Sequence, residues 1–241
     1  MIHSSDDFFA TTRWTLIRAA GQEPSPMARE ALESLCGTYW FPLYAYIRRC
    51  GFSKEDAEDL TQAFFAKLLE RRDFDGLAKE NGRFRAFLLA SLKHFLSNER
   101  DHRNRKKRGG TLTHFSLDWQ NADAKFEIAD SHQPSPDQTF DREWATALLE
   151  RVLQRLRDES MAGGNGERFE QLKGFLTISK DQISCAEKAR VLGIEEGTLR
   201  VAVHRLRQRY RELLRHEIRQ TLSDPAMVEE ELAALMNAFR V

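Results

Sequence analysis

Between residues 84 and 96 the side chains Phe84, Phe87, Leu88, Leu92, Phe95 and Leu96 recur at every third or fourth position, with Ser91 completing the stripe. Only an α-helix gathers such positions on one face. The same period runs through most of the chain. Leu60, Phe64, Phe65, Leu68 and Leu69 form one face, and Phe140, Trp144, Leu148, Val152 and Leu156 form another. Strand-type alternation is nearly absent, so the expected fold class is all-α, with two helical domains joined by a flexible linker.

Breaks in the pattern set the boundaries. "TTRWTLIRAA" reads as a short helix. Leu32, Leu35 and Tyr39 mark a second, with a further piece after Pro42 and a C-cap at Gly51. Ser53 stands three residues before Asp56, a capping-box-like start in which Asp replaces Glu. Gly109 and Gly110 stop the striped helix. Residues 111–138 lack periodicity, and "SHQPSPDQ" has linker composition. "AGGNG" interrupts the next helical pattern, and Asp224-Pro225 opens a last helix as an N-cap and N1 pair. The expected organisation is a first domain over 1–108, a linker over 109–138, a second domain over 139–222 and a C-terminal helix over 223–241.

Lys plus Arg and Asp plus Glu number 37 each, so net charge implies no partner. Its distribution does. Residues 83–108 hold nine basic and two acidic side chains, and 200–219 hold seven and two. Residues 118–143 reverse this, with seven acidic and two basic. Two positive patches separated by an acidic stretch suggest two polyanion contacts. Cys36, Cys50 and Cys185 form no metal-like spacing, and so sparse a set fits a reducing cytoplasm. The opening "MIHSSDDFFA" lacks the basic and apolar regions of a signal peptide, and no stretch approaches about 18 apolar residues. A cytoplasmic protein with no membrane contact is expected.

"AEKARVLGIEEGTLRVAVHRLRQRY" has helix-turn-helix spacing. Ala189 is small where two helices approach, Gly193 supplies a left-handed turn, and Leu192, Ile194 and Leu199 hold the second helix across the first. Lys188 stands where an apolar residue is usual, and Glu195 where a Ser cap is usual. The second helix offers Glu196, Thr198, Arg200, Val201, His204 and Arg205 to DNA. Arg can read guanine and Glu can accept from cytosine. The tail "RLRQRYRELLR" would follow the phosphate backbone.

The acidic cluster Glu55, Asp56, Glu58 and Asp59 reads as a first-turn complement to the helix dipole, since no His or distant carboxylate completes a site. No metal, cofactor or catalytic residue is expected.

"DAEDLTQAFFAKLLE", then "GRFRAFLLASLKHFLSNERDHRNRKKRGG", then "LGIEEGTLRVAVHRLRQRYRELL" resemble regions 2 and 4 of bacterial RNA polymerase sigma factors of the extracytoplasmic-function type. "TTRW", "LCGTYWFPLYAYIRR", "KRGG" and "IRQTLSDPAMVEEELAAL" resemble one subgroup. The resemblance covers nearly the whole chain.

It implies a protein that binds core RNA polymerase and directs promoter recognition and transcription initiation, with no catalytic residues of its own. Asp56, Asp59 and Gln62 would dock on the clamp helices of the largest subunit. The basic helix would hold the melted strand of the −10 element through Arg83, Arg85, Lys93, His94, Asn98, Arg100, Arg103 and Lys107. His94 and Asn98 stand where the family commonly has an Asn and an Asp. Asn81, in the preceding loop, would meet a flipped base. Region 4 would bind the −35 element and the polymerase flap, and the acidic linker would thread between. An anti-sigma partner or other regulator is a further expectation. Two other readings stay open: a stand-alone helix-turn-helix transcriptional regulator, and a hydrolase acting on nucleic acid through the acidic cluster. Trp119 would either pack or contact the polymerase channel. The C-terminal helix would pack on region 4 or serve regulation.

Overall fold

The computed structural model describes residues 26–70, 82–103, 119, 122–129, 134–177 and 184–240. The fold is all-α. Among the described residues the pairing of strand type is one isolated antiparallel bridge, between Arg83 and Leu222. The helices are α1 (Pro26–Arg49), α2 (Lys54–Glu70), α3 (Phe84–Arg103), α4 (Ala122–Ala129), α5 (Pro136–Ala162), α6 (Gly166–Leu172), α7 (Gly174–Thr177), α8 (Cys185–Leu192), α9 (Glu196–Arg219) and α10 (Val228–Asn237), the last preceded by a 3-10 turn over Pro225–Met227. None of the described helices is long and apolar enough to cross a membrane. The helix expected over 11–20 and the stop at Gly109-Gly110 lie outside the described residues.

The described residues fall into two compact units, one from 1–147 with 218–241 and the other from 148–217. Both boundaries lie within helices, inside α5 and inside α9, rather than at the breaks near 139 and 222 that composition suggested.

In the first unit, α1 is continuous through Pro42, where the sequence suggested a break. Pro42 cannot donate to the carbonyl four residues back, but every residue from Phe41 to Ile47 is buried, and this packing holds the helix together. Helix α2 begins where Ser53 Oγ accepts the Asp56 backbone N–H at 3.1 Å, so the Ser–Asp start does cap the helix. The α3 stripe is buried as its period requires: Phe84, Leu88 and Leu92 are fully enclosed, and Phe95 meets Phe64 of α2 at 5.7 Å between ring centroids. Burying each such side chain stabilises the unit by about 1.5–3 kcal/mol.

Three later segments complete this unit. Trp119 stands edge-on to Trp40 at 5.2 Å and to Tyr44 at 5.7 Å. Phe126 of α4 lies under the Arg48 and Arg49 guanidiniums at 5.1 and 5.6 Å. Part of the stretch read as a linker thus packs on α1. From α5, buried Trp144 donates its indole N–H to the Tyr39 hydroxyl at 3.1 Å. From 218 onward, Ile218, Leu222, Leu235 and Ala238 are buried. The Phe84 N–H donates to the Thr221 carbonyl at 3.0 Å, and the Ser223 N–H to the Gly82 carbonyl at 2.9 Å. Gly82 has φ +71°, and a Cβ there would sit 1.8 Å from Ser223 Oγ, so this approach requires glycine. The C-terminal helix therefore belongs to the unit that contains α3, not to the unit that contains the helix-turn-helix.

The second unit has two adjoining cores. Val152, Leu156, Phe169 and Leu213 form one. Leu172, Phe175, Ala189, Leu199 and Val203 form the other, with Leu192 packed against it. Buried Glu217 ties α9 to α5, accepting from Arg151 at 3.1 Å and Arg155 at 2.7 Å.

Candidate nucleic-acid interfaces

Helix α8 starts where Ser184 Oγ accepts the Glu187 N–H at 3.3 Å. It ends at Gly193, with φ +63°. A Cβ at that position would meet nothing within 4 Å, so conformation rather than space selects glycine. The Ile194 N–H turns back to the Ala189 carbonyl at 3.1 Å, and the Glu195 carbonyl accepts from Leu199 N at 3.1 Å to open α9. Ala189 and Leu199 meet in the core, as their spacing predicts. Ile194 does not join them. It is 37% exposed, because Leu192, Ala202 and Leu206 already line that core's margin.

Packing α9 through Leu199, Val203 and Leu206 turns the opposite face outward. Thr198, Arg200, Val201, His204 and Arg205 are exposed there, with Glu196 partly so. Arg200 donates to Glu196 Oε1 at 2.5 Å. Exposed pairs at this spacing are worth about 0.3–0.5 kcal/mol, weak enough for a base or phosphate to displace.

Two hollows flank α9. One, of about 570 Å³, is lined by Cys185, Arg200, Val203, His204, Arg207 and Arg211. Arg207 is fixed there by two hydrogen bonds to the Phe175 carbonyl, at 3.0 and 2.9 Å. The other, of about 840 Å³, has Leu156, Phe169, Leu172 and Leu206 among its lining, with Arg168 and Arg205. The first has the charge to meet a phosphate backbone, and the second has the apolar surface to seat a protein side. Arg209 grips Glu159 at 2.9 and 3.0 Å, and this bond holds the Glu159 carboxyl below its usual range.

The candidates on α3 divide. His94 and Asn98 are exposed and line a small groove between α2 and α3, with Phe64, Lys67, Ser91 and Phe95. Sequence reasoning missed Lys67, whose ammonium lies 5.4 Å from the Phe95 ring centre. Its signal was the i, i+3 spacing from Phe64. Lys93 is exposed and pairs with Asp137 at 2.5 Å. Arg83 and Arg85 instead face the C-terminal segment. Arg85 bonds Glu231 at 2.5 and 3.3 Å and Asp141 at 2.8 Å, and it stacks on Trp144 at 4.6 Å. Burial by itself would lower the Arg85 pKa, but the Glu231 hydrogen bond and the charges of Glu231 and Asp141 hold it above its ordinary value. Burial also pushes the Asp141 carboxyl up, against the pull of Arg85. Asn81, Lys107 and the side chains of Arg100 and Arg103 lie outside the described residues.

Of the three polymerase-docking candidates, Asp59 is exposed and Asp56 partly so, but Gln62 is 9% exposed. It falls within a wide buried arc of α2 that includes Ala57, Leu60, Thr61, Phe64, Phe65 and Leu68, so it does not offer the solvent-facing amide that docking calls for. The acidic cluster at the start of α2 assembles no cation site: among the described residues no group of three or more His, Cys, Asp or Glu is placed to hold a metal ion. No protein-family model, curated protein or solved structure matches the chain.

Proposed function

We propose that the chain is a sigma factor of the extracytoplasmic-function type, which binds core RNA polymerase in the cytoplasm and directs it to promoters. The observation that carries this reading is the helix-turn-helix of α8 and α9. Its core is closed by Ala189 and Leu199, and its exposed face holds Thr198, Arg200, Val201, His204 and Arg205. These residues suit a −35-type duplex in the major groove, with Arg200 and Glu196 reading bases and Arg211 contacting phosphate. The apolar cleft beside α9 suits the polymerase flap. The exposed Lys93, His94 and Asn98 on α3 suit the melted −10 strand, where cations and stacking surfaces hold unpaired DNA. Asp59 and Asp56 are the residues left to meet the clamp helices. On this reading the chain has no catalytic chemistry of its own and leaves it to the polymerase.

The test is reconstitution. The purified chain is mixed with bacterial core polymerase and genomic DNA, and transcript starts are mapped. Discrete starts absent with core alone are expected, and Asp59→Arg should reduce co-elution with core while leaving thermal stability near wild type. Tight duplex binding without polymerase, together with no association with core, would instead indicate a stand-alone regulator.

A further inference from the structure

The start of α3 carries two arginines whose partners differ in kind. Arg85 is 15% exposed and its partner Glu231 is 1% exposed. Arg83 pairs with Glu230, whose side chain is 68% exposed. The Nε of Arg83 lies 3.4 Å from Glu231 Oε2 but makes no hydrogen bond to it. Arg83 is thus the loosely held cation of the two. Glu231, Leu222 and Leu235 anchor the segment that brings Glu230 into reach.

We propose that Arg83 is an exchangeable anion site, in which the Glu230 carboxylate occupies the place that a phosphodiester of unpaired DNA takes. The inference rests on reading α3 as the helix that holds the melted strand. A guanidinium fork accepts carboxylate or phosphate with similar geometry. Glu230 is tethered beside it, so its effective concentration is on the order of millimolar or above, and a strand must outcompete it. Exchange needs no unfolding, because Glu230 can swing into water while Glu231 and the apolar anchors stay in place. The acidic C-terminal segment therefore acts as a built-in competitor that lowers the affinity of the free protein for single strands.

The experiment measures fluorescence anisotropy of a labelled oligothymidylate with the full chain, over a series of salt concentrations. Glu230→Gln should bind about threefold to fivefold more tightly, the most that an exposed ion pair yields. Its log–log salt slope should steepen by about 0.7, one further phosphate contact on a single strand. Adding Arg83→Ala to Glu230→Gln should erase both gains. If the double variant keeps them, the effect is one of overall charge and the exchange site is overturned. If Glu230→Gln binds like wild type while Lys93→Ala weakens binding, the exchange site fails and the reading of α3 stands. If neither Glu230→Gln nor Lys93→Ala changes binding, both fail together.

Discussion

Arg85 and Arg200 both lie in the opening turns of strongly basic helices, and the fold treats them in opposite ways. Arg85 is enclosed by Glu231, Asp141 and Trp144. Arg200 is 69% exposed, with Glu196 on its own helix as an ion-pair partner. Local charge density does not separate the two. The difference comes from what the rest of the chain brings to each helix face. A carboxylate more than a hundred residues away reaches Arg85, and the same kind of residue one turn away merely steadies Arg200. A basic stretch in a sequence marks a place where anions are held, and the fold decides whether they are its own.

The largest expected effect tests the enclosed side of this contrast. Glu231→Ala leaves Arg85 buried without its main partner, so it should destabilise the first unit by about 3–5 kcal/mol in denaturant unfolding. A loss under 1 kcal/mol would mean that the pair is not desolvated, and the contrast with Arg200 would collapse. On the open side, Arg200→Ala should leave unfolding within about 0.5 kcal/mol of wild type. It should also reduce discrimination between a matched −35-type duplex and a scrambled one by about 1–3 kcal/mol. Equal weakening on both duplexes would reassign Arg200 to phosphate. The smallest effect concerns Arg209, an exposed arginine of α9 that does have a distant carboxylate. Glu159 is held below its usual range by that bond, so its stabilising contribution is present at neutral pH and lost as pH falls through the lowered value. Glu159→Gln should flatten the acid limb of the second unit's stability profile slightly, and an unchanged limb would show that the bond contributes nothing in solution.

Much of this was legible in the sequence, and the reason is locality. The α3 stripe, the Ser53 cap, the helix-turn-helix spacing of Ala189, Gly193 and Leu199, and the outward face of α9 all follow from periods of three to seven residues. What sequence did not show depends on distant partners or on the width of a buried face. Nothing near Arg83 and Arg85 announces Glu230 and Glu231. Nothing near Trp119 announces Trp40. Gln62 looked solvent-facing because α2 was read with one narrow apolar stripe, whereas its buried arc is wide enough to enclose Thr61 and Gln62 as well. Pro42 looked like a break because local backbone chemistry was weighed without the packing that surrounds residues 41–47.

The bridge between Arg83 and Leu222 also has a consequence for synthesis. A nascent chain leaves the ribosome from its N-terminus at about 5–20 residues per second. Residues 148–217, which form the second unit without help from elsewhere in the chain, emerge before residues 218–240 do. The unit that begins first is therefore completed after the one that begins later. Until Leu222 and Leu235 arrive, the starting end of α3 waits on the ribosome with Phe84 lacking its final cover, and this is the interval in which a chaperone has the most to protect.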